Sequence, residues 1–208
     1  VALGQAEVTP LAMGWIVAML GNGGTQVYGL PVTQAIGRNG ENHIYVTALG
    51  GRILNEDVAS LTRAIMRLVI LQGTGGASRS ANGEKGYTGN AFGKTGTTDQ
   101  NKDLWFVGAS PTYAGALWLG YDTPLNMRAS SSDLAAPLWG WWMRAAHSGL
   151  KWEKDFIGTE LKNRYVCGVS GQYRNATCKT MPIPTLPGQR PKGVCTHNHP
   201  KPDPNKKT

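Results

Sequence analysis

The string best able to do chemistry is Lys94-Thr95-Gly96-Thr97-Thr98. It joins one ammonium to two hydroxyls two residues apart, with a glycine between them. On a strand, the period of two puts Thr95 and Thr97 on one face and Lys94 and Gly96 on the other. The hydroxyl pair can grip a carboxylate from one side. Gly96 carries no bulk, so another backbone can lie close against the strand. Backbone N–H groups on an exposed strand edge can bond an extended peptide or stabilise an oxyanion. The bare Lys-Thr-Gly tripeptide is also common as an ordinary strand end. A phosphate loop fails on spacing: it needs a glycine six positions before the lysine, where this chain has Thr88. It would also open a helix, whereas a strand follows here.

A second set of reactive residues lies late in the chain. Cys167, Cys178 and Cys195 are its three cysteines, and everything before them is cysteine-free. That usage fits an oxidising compartment, where a loop can be stapled. Cys167 and Cys178 enclose a short segment and are the expected disulfide, which leaves Cys195 odd. Cys195-x-His197-x-His199 is a competing, ligand-rich run whose spacing suits an extended chelate, but spacing offers no obvious fourth ligand. The expectation is therefore a disulfide and no metal.

The elements that must hold these residues are legible in the pattern. Thr9-Pro10 is a helix start, with Thr as N-cap and Pro at the first helical position. Met13, Val17 and Leu20 share a face, Ile16 lies beside them, and Gly21-Asn22-Gly23-Gly24 stops the run. Residues 25–54 read as extended and turn structure, with Ile44-Tyr45-Val46 as a short strand. Asn55 caps a second helix, with Glu56 and Asp57 in its first turn. Val58, Leu61, Ile65, Leu68 and Val69 give it an apolar stripe. Gly73 ends it, and a loop runs to about Gly89. Ala91–Thr97, Leu104–Gly108 and Tyr113–Tyr121 then read as three consecutive strands of an antiparallel meander. A last helix covers about Leu134–Ala146, with Trp139, Trp141 and Trp142 as a side suited to packing on a sheet.

Composition narrows the classes. Glycine is 28 of 208 residues, and charged residues are 16%, against about 25% in an average soluble domain. This excludes a coiled coil, and glycine has no collagen period. No run of about 18 apolar residues is present to span a membrane as a helix. The chain opens without an initiator Met or a secretory pattern, so it is expected to be a C-terminal piece of something longer. The net charge of +8 is uneven. Residues 1–150 carry ten Lys/Arg against nine Asp/Glu, and residues 151–208 carry eleven against four. The basicity belongs to the tail rather than to a folded element, so no nucleic-acid partner is expected. Seven of the twelve prolines lie from Pro182 to Pro204. The expected organisation is a body over 1–149 and a basic, Pro-rich tail over 150–208, linker-like or disordered around a small disulfide loop.

Six segments in order decide what the body resembles. They are Glu7-Val8-Thr9-Pro10-Leu11 with Asn22-Gly23-Gly24 closing its helix, Gly73-Thr74-Gly75, Gly93-Lys94-Thr95-Gly96-Thr97-Thr98, Asp103-Leu104-Trp105-Phe106-Val107-Gly108, Trp118-Leu119-Gly120-Tyr121-Asp122, and Ala135-Ala136-Pro137-Leu138-Trp139. Over about residues 2–146 they resemble the second half of the transpeptidase domain of penicillin-binding proteins. The Lys-Thr-Gly-Thr-Thr spelling and the Trp-Phe-Val-Gly strand look like the bifunctional class A, which carries a glycosyltransferase domain upstream.

The resemblance implies an α+β fold, the C-terminal part of a penicillin-binding or serine β-lactamase-like domain. Its antiparallel sheet has helices on both faces and is incomplete in this chain. It implies a peptidoglycan D,D-transpeptidase that cross-links stem peptides through a serine acyl-enzyme, without a cofactor. The site would lie on the extracytoplasmic side of a bacterial membrane, with any anchor upstream. Its partners would be acyl-D-Ala-D-Ala stem peptides, β-lactams, and the missing N-terminal half of the same protein. Lys94 would hold the hydroxyl of a Ser-x-Asn motif and add positive field at the substrate carboxylate. The Thr95 and Thr97 hydroxyls would bind that carboxylate, with Gly96 and Thr98 completing the substrate strand. The Thr97 backbone N–H would be half of the oxyanion hole. The family's Ser-x-x-Lys and Ser-x-Asn motifs stand well upstream of Lys-Thr-Gly. Ser148-x-x-Lys151 falls after the last helix, and Ser80-x-Asn82 falls only twelve residues before Lys94. Both read as chance matches, so no nucleophile is assigned in this chain. A serine β-lactamase fragment is disfavoured by Thr97-Thr98 and the Trp-Phe-Val-Gly strand. A non-catalytic cell-wall binding or scaffolding module remains as the other class.

Overall fold

The structure is a computed structural model that describes residues 6–29, 32, 34–44, 49–149 and 155–199. The chain divides into two compact units, Val1–Gly158 and Thr159–Thr208. No helix among the described residues is long and apolar enough to cross a membrane.

The first unit opens with α1 (Pro10–Gly21). The Thr9 hydroxyl accepts the Ala12 N–H at 3.2 Å, as its N-cap position requires. Val17 and Leu20 are buried, and Met13 packs beside them. Ile16 is largely exposed. Short strands follow: β1 (Thr25–Val27), β2 (Gln34–Ile36), β3 (Asn42–Ile44) and β4 (Leu49–Arg52). They pair antiparallel as β1 with β4 and β2 with β3. Ile44 thus ends a strand, while Tyr45 and Val46 of the expected strand lie outside the described residues.

α2 (Glu56–Gln72) starts where Asn55 caps it, accepting the Asp57 N–H at 2.8 Å. Its buried face differs from the apolar stripe in the sequence. Ala59, Ser60, Arg63 and Ile70 are buried, whereas Val58 and Ile65 are exposed. Arg63 can occupy that face because its guanidinium is satisfied there. It donates to Leu20 O at 2.5 Å and to Ser60 Oγ at 3.1 Å, and it lies over the Phe156 ring. Burial pulls its pKa below the ordinary arginine value, with Glu56 pulling the other way. After α2, the loop contains a single 3-10 turn (Gly76–Ser78) and a small hairpin of β5 (Ser80–Ala81) and β6 (Glu84–Lys85).

The centre of the unit is a three-stranded antiparallel sheet in the order β7 (Phe92–Thr97), β8 (Leu104–Ala109), β9 (Ala114–Leu119). Side chains alternate across it. Leu104 and Phe106 face α3 (Ala135–Ala146), where Trp139 packs on Phe106 with ring centroids 4.9 Å apart. Phe92, Val107 and Ala109 face the other way, onto α1 and α2. Gly93 and Gly108 are register partners, and their missing side chains make room for the first layer. A Cβ on Gly93 would sit 2.8 Å from the Phe106 ring, and one on Gly108 would sit 3.0 Å from the Trp139 ring. Trp142, expected against the sheet with Trp139, lays its ring over Gly115 of β9, where a Cβ would sit 2.5 Å from it, while its outer side is exposed. The sheet with helices on both faces is the architecture that the resemblance implied.

The second unit corrects one expectation. Residues 159–199 are not a linker: β10 (Lys162–Cys167) and β11 (Thr180–Thr185) pair in a six-residue antiparallel register. Pro182 and Pro184 sit in β11, whose neighbour is β10 alone among the described residues, so each missing N–H can point to the open edge.

Candidate functional site

The Lys94–Thr98 string occupies β7 and the turn after it. The register pairs Lys94 with Val107, Thr95 with Phe106, Gly96 with Trp105 and Thr97 with Leu104. Thr95 and Thr97 therefore lie on the α3 face and Lys94 and Gly96 on the other, as the period of two dictates.

β7 is an edge strand: among the described residues it pairs with β8 alone. The Thr98 N–H donates to Asp103 O at 3.1 Å, toward β8. Backbone direction alternates along an antiparallel strand, so the N–H and C=O groups of Thr97 and Thr95 point to the open edge. Lys94 confirms that direction, since its exposed ammonium donates to Thr95 O at 2.8 Å. The edge thus presents an ammonium and outward N–H groups side by side. That arrangement can pair an extended peptide and meet a carboxylate or oxyanion with donors.

In the structure the Thr95 and Thr97 hydroxyls both have protein partners. Thr95 is only 9% exposed, and its hydroxyl lies 2.6 Å from Thr74 Oγ1, in the loop that follows α2. Thr97 Oγ1 lies 2.6 Å from Ser131 Oγ and accepts the Ser131 N–H at 3.2 Å. Ser131 Oγ donates to Gly96 O and accepts the Trp105 N–H at 3.3 Å. Its single proton is thereby spent, so the 2.6 Å bond is donated by Thr97. Thr98 is turned away from the open edge altogether. Its hydroxyl donates to Asp103 Oδ2 at 3.0 Å and accepts the Asp103 N–H at 2.8 Å, closing the β7–β8 connection. Trp118 Nε1 donates to the same carboxylate at 2.9 Å.

Thr74 and Ser131 are site residues that residue-type reasoning did not single out. Thr74 lies in Gly73-Thr74-Gly75, to which the sequence assigns no chemical role. Ser131 lies in the turn before α3, in a Ser130-Ser131-Ser132 run that offers no spacing signal. Beside it, Ser130 donates its hydroxyl and backbone N–H to Asp133, which holds that carboxyl below its ordinary pKa.

The chance-match serines stay apart from this edge. Ser80 lies in the β5–β6 hairpin, and Asn82 is at its turn with φ 53°. Ser148 follows α3, and Lys151 lies outside the described residues. A buried polar cluster also lies away from the open edge. His147 Nδ1 donates to Met143 O at 2.8 Å, and its Nε2 lies 3.0 Å from Ser110 Oγ and 3.4 Å from Tyr87 OH. It ties the β8–β9 turn to the end of α3. Burial raises the Tyr87 phenol above its ordinary pKa, against the hydrogen bond from Ser110.

Comparison with known proteins now fixes the family. A profile described as "Penicillin binding protein transpeptidase domain" matches residues 1–139. The chain belongs to the penicillin-binding protein transpeptidase family. Penicillin-binding protein 1A of Clostridium tetani is 30% identical over 191 residues, covering 83% of this chain and 24% of that relative. Penicillin-binding protein 1A of Neisseria gonorrhoeae is 32% identical over 155 residues, covering 71% of this chain and 19% of that relative. The chain thus spans a quarter or less of these curated relatives. Among solved structures, penicillin-binding protein 1A from Haemophilus influenzae superposes with a TM-score of 0.75 at 19% identity, over 93% of this chain and 34% of that one. Penicillin-binding protein PonA1 from Mycobacterium tuberculosis gives 0.55 at 27% identity, over 71% and 41%.

In the second unit, the expected Cys167–Cys178 disulfide is absent. Cys167, Cys178 and Cys195 are free thiols, and all three are gathered with His199.

Proposed function

We propose that this chain supplies the substrate-binding edge of a serine D,D-transpeptidase that cross-links peptidoglycan stem peptides. The observation that carries the reading is the open edge of β7, where the Lys94 ammonium sits beside outward-pointing N–H groups. Family membership supplies the chemistry. The nucleophilic serine comes from outside this chain and attacks the carbonyl between the two D-Ala residues of a stem peptide. The Thr97 N–H holds the oxyanion, and the terminal D-Ala leaves with the proton from serine. An amine of a neighbouring stem peptide then attacks the acyl-enzyme ester, forming the amide cross-link as the ester bond breaks and one amine proton returns to the serine oxygen. Lys94 supplies positive field to the departing carboxylate and positions the relay hydroxyl. The Thr97 hydroxyl reaches that carboxylate by exchanging Ser131 for it. Thr95 and Thr98 act by holding the strand, through Thr74 and Asp103. The reaction belongs on the extracytoplasmic face of the bacterial membrane. β-Lactams, as mimics of the stem-peptide end, acylate the same serine.

The test is labelling with a fluorescent penicillin. The full-length protein should carry the label on a Ser-x-x-Lys serine outside residues 1–208, and the chain over 1–208 alone should stay unlabelled. Label on Ser80 or Ser148 would overturn the assignment.

A further inference from the structure

The second unit holds about 50 residues and has little apolar interior. Its buried apolar side chains among the described residues are Val166, Cys167 and Cys195. A unit of this size usually needs a staple, either a disulfide or a metal. The thiols are not paired. Instead, one sulfur comes from the end of β10, one from the loop before β11, and one from the segment after it. His199 joins them from four residues beyond Cys195.

The four ligand atoms lie within 4.8 Å of one another. His199 Nε2 is 3.3 Å from both Cys167 Sγ and Cys195 Sγ. A tetrahedral zinc with Zn–S of about 2.3 Å and Zn–N of about 2.05 Å has ligand-to-ligand edges of roughly 3.6–3.8 Å. The gathered atoms therefore need to move by less than about 1 Å to take up that geometry. From these distances we infer that Cys167, Cys178, Cys195 and His199 form a structural Zn²⁺ site that folds the second unit.

The surroundings are those of a metal site rather than a disulfide. The Val169 N–H donates to Cys167 Sγ at 3.4 Å, and the Asn175 N–H donates to Cys178 Sγ at 3.3 Å. Such N–H···S bonds orient thiolates and offset their charge. Asn175 also donates its side-chain amide to Cys195 O at 2.9 Å and His197 O at 3.0 Å. One residue thus ties the Cys178 loop to the segment that carries Cys195 and His199. The backbone closes around them, with Cys167 N–H on Gln172 O and Cys195 N–H on Tyr173 O, both at 2.8 Å. A disulfide would use two sulfurs and leave the third thiol and the imidazole without purpose. Four protein ligands leave no open position, so the site is structural and not hydrolytic. His197 stacks on His199 with centroids 5.9 Å apart and places Nδ1 3.7 Å from Cys195 Sγ, but it stands outside the group of four mutually close ligand atoms.

Metal analysis of the full-length protein, purified with neither added metal nor chelator, tests this. Elemental analysis should find about one zinc per chain, the count of a single four-ligand site. A mercurial that blocks thiols should release it stoichiometrically from the unmutated protein. Co²⁺ exchanged into the site should give the ligand-field bands of tetrahedral cobalt with thiolate charge transfer. C167S, C195S and H199A should lose the metal, while H197A should keep it. H199C should also keep it, with an added thiolate band in the cobalt form, which a merely structural histidine would not give. Absence of zinc, iron in its place, a Cys167–Cys178 disulfide in unreduced peptide maps, or zinc retained in C195S would each overturn the inference.

Discussion

Ser131 Oγ stands 2.6 Å from Thr97 Oγ1 and bridges the two strands beneath it, donating to Gly96 O and accepting from Trp105 N–H. A buried hydroxyl thus braces the Gly96–Trp105 rung of the β7–β8 ladder at the level of the candidate oxyanion donor. Ser131→Ala leaves Gly96 O and Trp105 N–H without this partner. The expected cost is about 1–3 kcal/mol of stability, the summed net worth of the hydrogen bonds this hydroxyl makes. Urea denaturation of the full-length variant measures it. A midpoint equal to that of the unmutated protein would mean that the bridge has no energetic weight.

The Gly93–Gly108 pair is the steric condition for the α3 face. On Gly108 a Cβ would approach Phe92 O to 2.6 Å as well as crowding the Trp139 ring. Gly108→Ala should destabilise by about 1–3 kcal/mol or more through overpacking. Gly83→Ala is the contrast, because its Cβ would meet nothing within 4 Å. Gly83 has φ +80°, so its smaller cost is backbone strain alone. Thermal midpoints of the two variants should rank in that order.

Period and caps made the fold of the body readable. Thr9, Asn55 and the three alternating strands fall where residue chemistry puts them. The face of α2 was not readable, because its buried positions are small or charged. Ala59 and Ser60 carry no hydropathy signal, and Arg63 carries the opposite one. The Leu20 carbonyl at the end of α1, with Ser60 Oγ and the Phe156 ring, explains why a guanidinium belongs there. The site shows the same division. The strand and the two faces of Lys94–Thr97 follow from alternation, whereas Thr74 and Ser131 come from turns that no periodicity marks. The second unit was least legible. Proline and charge read as a tail, and ligands spread over 33 residues, from Cys167 to His199, form no compact motif.

Arg63 should therefore be a stability residue despite its charge. Arg63→Met removes the donor to Leu20 O and the contact with Phe156. The expected loss is about 2–3 kcal/mol. Arg63→Lys should recover only part, because one ammonium cannot match the fork that spans Leu20 O and Ser60 Oγ. Chemical denaturation of both variants decides, and equal stability of lysine and arginine would contradict the fork.

Tyr87 gives a pH dependence with a fixed sign. Its folded-state pKa is raised above the unfolded value of about 10, with burial as the main cause. The neutral phenol therefore contributes stability that is fully present below the unfolded pKa. That contribution is lost as pH rises through the folded one. Tyr87→Phe should remove this alkaline loss. The stability curves of variant and parent should converge or cross above about pH 10. Urea midpoints between neutral and strongly alkaline pH would show it; parallel curves would place the titration elsewhere.

Lys94 and Thr97 separate the proposed roles at the edge of β7. The Lys94 ammonium is held at Thr95 O, on the side where a substrate strand would lie. In the proposed role it acts on the carboxylate through charge, an action that exclusion of water by a bound substrate would strengthen. Lys94→Ala should cut acylation by a β-lactam about 10²-fold or more, the scale set by loss of one preorganised electrostatic donor. Lys94→Arg should recover only part, because a planar fork cannot replace a compact ammonium in a hydroxyl network. Thr97→Ala keeps the backbone N–H that serves the oxyanion and removes a hydroxyl already donated to Ser131. Its loss of acylation should be smaller than that of Lys94→Ala, and part of its effect should appear as lost stability. Second-order acylation rates of the three full-length variants, beside their urea midpoints, test the assignment. A folded Thr97→Ala slower than Lys94→Ala would reverse the roles. Near-normal rates for Lys94→Ala would reduce the lysine to a solvated residue at a strand edge.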